Sequence, residues 1–286
     1  LIIKSPAKVN LFLYVLNKRS DGFHEIYTLM HKIDFFDTVE VKPKPTPGID
    51  ILTTMDELNN ENNLAYIAAD EFFSRSGIRA QVRIEIEKRI PPGSGLGGGS
   101  SNAAATLLLL NEMFDFPLTF NELYTIAATL GSDIPFFLYD SPAAIATGRG
   151  EIIDELTCNT EGYSIFLAIP PISISTSTIY SKLVLTKKQC INKMPFVIIG
   201  ERCDLEDIMP YLCNDLEGVV LKEFGRLRDI KSVLTRHFGN ALLSGSGSSM
   251  FSIINPEVKA DERGIEDLLV SWGVFFKRVN FSKKGR

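Results

Sequence analysis

Residues 90–104 read IPPGSGLGGGSSNAA, with five glycines and three serines in fifteen positions. They follow an alternating run, AQVRIEIE (80–87), that predicts a half-buried strand. They lead into AAATLLLLNEMF (103–114), apolar nearly all round, which predicts a well-buried helix. A glycine-rich turn between a strand and a helix lets the backbone approach a ligand closely. The helix N-terminus then points free N–H groups and a positive dipole end at that ligand, and a phosphate is the natural guest.

Three other readings of the same residues compete. Gly93, Gly95 and Gly98 satisfy G-x-G-x-x-G, with Asp115 downstream, so a dinucleotide fingerprint is formally present. That fingerprint should follow its strand directly, whereas Lys88-Arg89 and Pro91-Pro92 intervene here. A P-loop needs G-K-[ST], which this stretch lacks. A flexible linker rarely feeds straight into so apolar a helix.

Working outward, KVNLFLYVL (8–16) and FDTVEVK (36–42) predict strands, and NKRSDGFHEI (17–26) a polar loop turning at Asp21-Gly22. Residues 63–74 and 121–130 have helical spacing, the second with Gly131 as a C-cap glycine. Short strands are predicted over 142–156, around Gly148-Arg149-Gly150, and over YSIFLAIP (163–170). Helical segments are expected around 205–223 and 226–238. ALLSGSG and SSMFSIIN form an apolar pair around a second glycine cluster, whose simplest reading is a hairpin turn. The polar stretch 156–163 suggests a boundary between domains 1–157 and 158–286.

Composition narrows the function classes. The 286 residues are 45% hydrophobic and carry a net charge of −5, enough for a sizeable core and with no general attraction to nucleic acid or anionic membrane. Phosphate binding must therefore be local. Cys158, Cys190, Cys203 and Cys213 make no C-x-x-C pair, and no histidine-rich cluster accompanies them, so no zinc or other metal ligands are assigned. They read as reduced thiols. No apolar run is long enough to span a bilayer. LIIKSPAKVNLFLYVL, interrupted by Lys8 and Asn10, reads as a strand rather than a signal peptide, and the expected compartment is cytoplasmic.

Pro91-x-Gly93-x-Gly95-Leu96-Gly97-x-x-Ser100-Ser101 resembles the central ATP-binding motif of the GHMP kinases, which include galactokinase, homoserine kinase and mevalonate kinase. SPAKVNLFL (5–13) resembles their N-terminal motif and LLSGSGSSMF (242–251) their third. Three motifs in order along the full chain carry more than any one glycine loop. AKVNLFLYVLNKRSDGFHEI (7–26), ENNL (61–64) and LGSDIPFFL (130–138) are similar to the branch that phosphorylates the 2-hydroxyl of a cytidine-diphosphate-linked methylerythritol, in isoprenoid precursor synthesis. Pro92, Ser94 and Phe23 depart from the commoner Met, Gly and Tyr.

The resemblance implies an α+β, two-domain fold, ribosomal-protein-like in its N-terminal half and ferredoxin-like in its C-terminal half. ATP and a small-molecule acceptor would lie in the cleft between them, with Mg²⁺, in a monomer or weak homodimer. It implies that Pro91, Pro92, Gly93, Ser94, Gly95, Leu96, Gly97, Gly98, Gly99, Ser100 and Ser101 cradle ATP, with Asn63 and Leu64 near the adenine. Ser100 or Ser101 would be nearest the metal. Lys8 and Asp133 become the catalytic pair. Read by residue type alone, Asp133 before Ile134-Pro135 is equally a helix cap, and Lys8 in an apolar strand reads first as an edge or solvent-facing lysine. Phe23, His24 and Tyr180 become the cytidine pocket, with Phe23 and Tyr180 as its two stacking faces, and Asn10 and Thr176 lie on the acceptor side. Unaided, the two aromatics read equally well as core.

Overall fold

The computed structural model describes residues 1–185, 190, 202–255 and 262–283. Two long strands, β1 (Ile2–Lys18) and β2 (His24–Pro43), pair antiparallel and organise the first sheet. β3 (Gly48–Thr53), β4 (Gln81–Glu87), β5 (Ala143–Thr147) and β6 (Ile152–Asn159) extend it in the order β3-β4-β2-β5-β6. β2 thus begins inside the stretch that its polar residues mark as a loop.

Helices α1 (Leu64–Ser76), α2 (Gly98–Met113), α3 (Phe120–Leu130) and α4 (Ile134–Leu138) share one buried core with β2, β4 and β5. Gly131 is the C-cap of α3 as expected, in extended backbone with φ −179°, its N–H donating to the Ala127 carbonyl. The chain then enters β7 (Ser164–Ile169), centre of a second sheet with β10 (Leu242–Leu243), β11 (Met250–Ile254) and β12 (Phe275–Asn280). β7 is apolar at nearly every position because both its faces are covered. Ile165, Leu167 and Ile169 pack against the first sheet, while Phe166 and Ala168 face α7 (Glu217–Glu223), α8 (Gly225–Phe238) and α9 (Glu262–Ser271). The layers run helices, sheet, sheet, helices.

Segment 205–223 is not one helix. It breaks into α6 (Leu205–Ile208), a 3₁₀ turn, the short strand β9 (Cys213–Asn214) and α7, with α5 (Thr176–Ser181) lying earlier in the chain. β8 (Arg202–Asp204) and β9 return to the first sheet, pairing with β6 and β1. Cys213 on β9 is disulfide-bonded to Cys190, their Cα atoms 5.9 Å apart, which corrects the reading of four reduced thiols. Spacing along the chain carries no information about that proximity. Here Asp215, next to β9, accepts from the Cys190 N–H at 3.2 Å and fixes the two cysteines within bonding reach. Cys158 and Cys203 are free and lie opposite each other on β6 and β8.

Candidate active site

Glycines alternate through the loop that precedes α2, and Gly93, Gly95 and Gly97 all have positive φ, from 65° to 78°. Other residues avoid that region. The packing is as demanding as the backbone. A Cβ on Gly95 would lie 2.2 Å from the Ser244 carbonyl oxygen, and one on Gly97 would lie 3.2 Å from Lys8 Cγ. The central motif therefore rests on the third, with Ser249 N–H donating to Ser94 O at 2.9 Å and Ser244 Oγ to Gly95 O at 3.0 Å.

α2 starts at Gly98 with Gly97 as a cap that offers no side chain. The N–H groups of its first turn have no carbonyl within the helix to bond. Gly98, Gly99 and Ser100 line a cleft of about 790 Å³ together with Pro91, Pro92, Gly93, Ser94, Gly95 and Gly97. The other residues read into this motif lie off its wall. Leu96 is fully buried, and Ser101 is buried with its hydroxyl engaged by Ser5. Asn63 caps α1, its side chain accepting from Ala65 N–H at 3.0 Å, while Leu64 reaches the cleft.

Lys8 and Asn10 stand two apart on β1 and so share a face. Lys8 is not an edge lysine. Its side chain is 3% exposed, and Nζ donates to Asn10 Oδ1 at 2.6 Å. Asn10 donates in turn to Thr28 Oγ1 at 2.9 Å. Lys8 Nζ lies 3.6 Å from Asp133 Oδ2. Asp133 precedes α4, yet its side chain makes no capping bond and is about one-third exposed toward the cleft. The cap reading therefore fails, and the carboxylate is left facing the lysine and the cleft.

The opposite end of the cleft is built from side chains. Phe23, half-exposed, comes from the turn just before β2 and His24 from the first residue of that strand, while Thr176 and Tyr180 come from α5. Tyr180 lies beside His24, ring centroids 5.1 Å apart, and the Arg149 guanidinium covers Phe23 at 5.0 Å. Burial pushes the Tyr180 hydroxyl above its ordinary range, reinforced by the Asp133 charge. Burial and the nearby Lys18 lower the His24 imidazole, which favours its neutral form. Thr176 Oγ1 shares a hydrogen bond of 2.7 Å with Ser246 Oγ, which ties α5 to the third motif.

Sequence reasoning missed Arg149 and Lys18, both lining the cleft. Arg149 had surfaced only as the centre of a Gly-Arg-Gly turn. It also missed Asn214, whose amide donates to Leu243 O at 2.8 Å and Gly245 O at 2.7 Å, holding the third motif beside Lys8.

The fold and this cleft define a GHMP kinase. Residues 63–141 match the GHMP kinases N terminal domain. A crystal structure of 4-(cytidine 5'-diphospho)-2C-methyl-D-erythritol kinase superimposes with a TM-score of 0.75 at 30% identity, covering 98% of this chain and 99% of that one. A homoserine kinase from Cytophaga hutchinsonii, at 17% identity and a TM-score of 0.71 over 99% and 96% of the two chains, shares the fold. The 4-diphosphocytidyl-2-C-methyl-D-erythritol kinase of Syntrophus aciditrophicus is 41% identical over 96% of this chain and 98% of its own. That of Shouchella clausii is 39% identical over 91% and 87%. The chain belongs to the 4-diphosphocytidyl-2-C-methyl-D-erythritol kinase family.

Proposed function

We propose that this protein transfers the γ-phosphate of ATP to the 2-hydroxyl of 4-diphosphocytidyl-2-C-methyl-D-erythritol, giving the 2-phosphate and ADP for isoprenoid precursor synthesis. The observation that carries this reading is the placement of Lys8. Its Cγ faces Gly97 of the phosphate loop and its Nζ faces Asp133, with the aromatic end of the cleft beyond. A donor held by backbone amides and an acceptor held by rings would meet at that pair.

In the step itself, the acceptor oxygen bonds to the γ-phosphorus and the bond to the β–γ bridging oxygen breaks. ADP leaves, and the hydroxyl proton passes to Asp133. Lys8, paired with Asp133 at 3.6 Å, aims its carboxylate toward the acceptor hydroxyl. Asn10 fixes the lysine. Phe23, His24 and Tyr180 supply ring faces and hydrogen bonds for cytosine, and Lys18 and Arg149 bring positive charge for the acceptor's diphosphate.

Among the described residues no three His, Cys, Asp or Glu cluster into a metal site. A bound Mg²⁺ would take the cleft-lining Ser100 as its protein donor beside ATP oxygens and water. When bound it neutralises phosphate charge. Among the described residues no helix is long and apolar enough to cross a membrane. We place the reaction in the cytoplasm, where ATP is made available.

An ATP-consumption assay with the cytidyl acceptor, homoserine, mevalonate and galactose side by side tests the proposal. Turnover is expected with the first alone, with the new phosphate on the 2-oxygen by phosphorus NMR. Turnover only with one of the other three would overturn the acceptor assignment.

A further inference from the structure

Behind the glycine loop, outside the cleft, lies a carboxylate with no exposed surface. Asp37 on β2 accepts through Oδ1 from the backbone N–H groups of Arg89 at 2.6 Å and Ile90 at 2.8 Å. Its Oδ2 takes the Lys88 ammonium and, at 3.0 Å, the Asn102 amide. Lys88 Nζ donates also to Asn102 Oδ1 at 2.8 Å. The Asn102 amide reaches Ser5 Oγ on β1 at 2.9 Å, and Ser5 Oγ donates to Ser101 Oγ at 2.7 Å.

Residues 88–90 lead into the loop, and residues 101–102 stand near the start of the helix that closes it. One carboxylate therefore fastens both ends of the loop to β2. Ser5 fastens the second end to β1, three residues before Lys8. Between the fixed ends lie three glycines in left-handed backbone, the part of the chain with most freedom to lose. Amides converge on a phosphate only if such a loop is held before the ligand arrives. The Asp37 charge is matched by Lys88, so it places no unpaired anion behind the phosphates.

We propose that Asp37 is a positioning residue for nucleotide binding, acting through Arg89, Ile90 and Asn102 to hold the phosphate-binding amides in register. The proposal rests on the reading of this loop as the ATP site. Its readout is ATP affinity, whereas the acceptor reading stands or falls on CDP affinity of the wild type, so the two failures are distinguishable. The experiment titrates the full chain with a non-hydrolysable ATP analogue and, separately, with CDP, for wild type, Asp37→Asn and Ser5→Ala.

Asparagine keeps the shape but turns a second donor toward Lys88 and Asn102. ATP-analogue affinity is expected to fall about tenfold or more in Asp37→Asn and by a smaller factor in Ser5→Ala. CDP affinity should stay within about twofold, since no bond of this network reaches the aromatic end. A cooperatively unfolding Asp37→Asn that binds the analogue like wild type, or that loses both ligands equally, would overturn the proposal. If Asp37→Asn does not fold, selective loss of ATP affinity in Ser5→Ala supports it, and wild-type or equal loss there overturns it.

Discussion

The two ends of the cleft are made of different material. The phosphate end is backbone: positive-φ glycines, helix N–H groups and a neighbouring loop so close that Gly95 has no room for a Cβ. The acceptor end is side chain: a half-exposed Phe23 under Arg149, and a His24–Tyr180 pair drawn from two separate elements. An anion is well served by fixed amides, which lose little entropy on binding. A pyrimidine ring needs stacking faces, which only side chains offer. Lys8, Asn10 and Asp133 stand where the two materials meet, which is where the proposed transfer is placed.

The junction should show the largest effect. Asp133→Asn preserves size and breaks no cap, so stability should hold while kcat falls by roughly 10²–10⁴, the range for losing a general base. A nearly intact kcat would remove Asp133 from the chemistry and leave the two ends without a shared reactive group. At the acceptor end, Phe23→Ala should weaken CDP by about 1–3 kcal/mol, roughly 5- to 150-fold. Calorimetry with an ATP analogue should show little change. Equal weakening of both ligands would make Phe23 a packing residue and blur the division.

Acid should act on neither end selectively. His31 sits in the shared sheet with no exposed surface, and its Nδ1–H donates to the Lys32 carbonyl at 2.7 Å. Burial lowers its pKa from 6.5 to about 4, the carbonyl opposing and the Lys32 charge assisting. The unfolded chain then takes up a proton at a pH where the folded one does not. Stability is full above 6.5 and is lost as pH falls through the window down to about 4. Near pH 5 the loss should be about 2 kcal/mol by denaturant titration, and His31→Leu should flatten that slope. An unchanged slope in the variant would move the acid sensitivity elsewhere.

Glycines sharpen the contrast within the phosphate end. Gly97→Val places a branched side chain at φ 72°, with its Cβ 3.1 Å from Phe137 and 3.2 Å from Lys8 Cγ. The left-handed backbone alone should cost roughly 1–2 kcal/mol of stability. ATP affinity should fall because Lys8 is displaced, rather than because the added carbon meets phosphate directly. Gly99 differs, since its Cβ would meet only Leu64 at an ordinary 3.6 Å. Gly99→Ala should change melting little or raise it, as alanine favours a helix by about 1 kcal/mol over glycine. A large destabilisation there would mean that the helix start tolerates no side chain at all.

What the sequence made legible follows from how local each signal is. The phosphate end is contiguous, so residues 90–104 expose its glycines, its helix and its anion preference together. β7 reads as a strand because both its faces are covered. The acceptor end gathers residues 23–24, 149 and 176–180, and no period links them, so Arg149 was invisible as a partner for Phe23. The disulfide and the Asn214 clamp join positions some 23 to 31 residues apart through tertiary contact alone. Asp37 is an intermediate case. In FDTVEVK it falls on the same face as Val39 and Val41, a charge where alternation calls for an apolar residue. Polar residues in the 205–223 segment permit a helix by propensity, but pairing of Cys213 and Asn214 with β1 overrides it.

The central claim is that one cleft holds two nucleotides at once, one on amides and one on rings. Calorimetric titration of the wild type with CDP, in the absence and then in the presence of saturating ATP analogue, tests it directly. The account predicts one CDP bound per chain under both conditions, with affinity changed by no more than a few-fold. Displacement of CDP by the ATP analogue, or no CDP binding in either case, would contradict it.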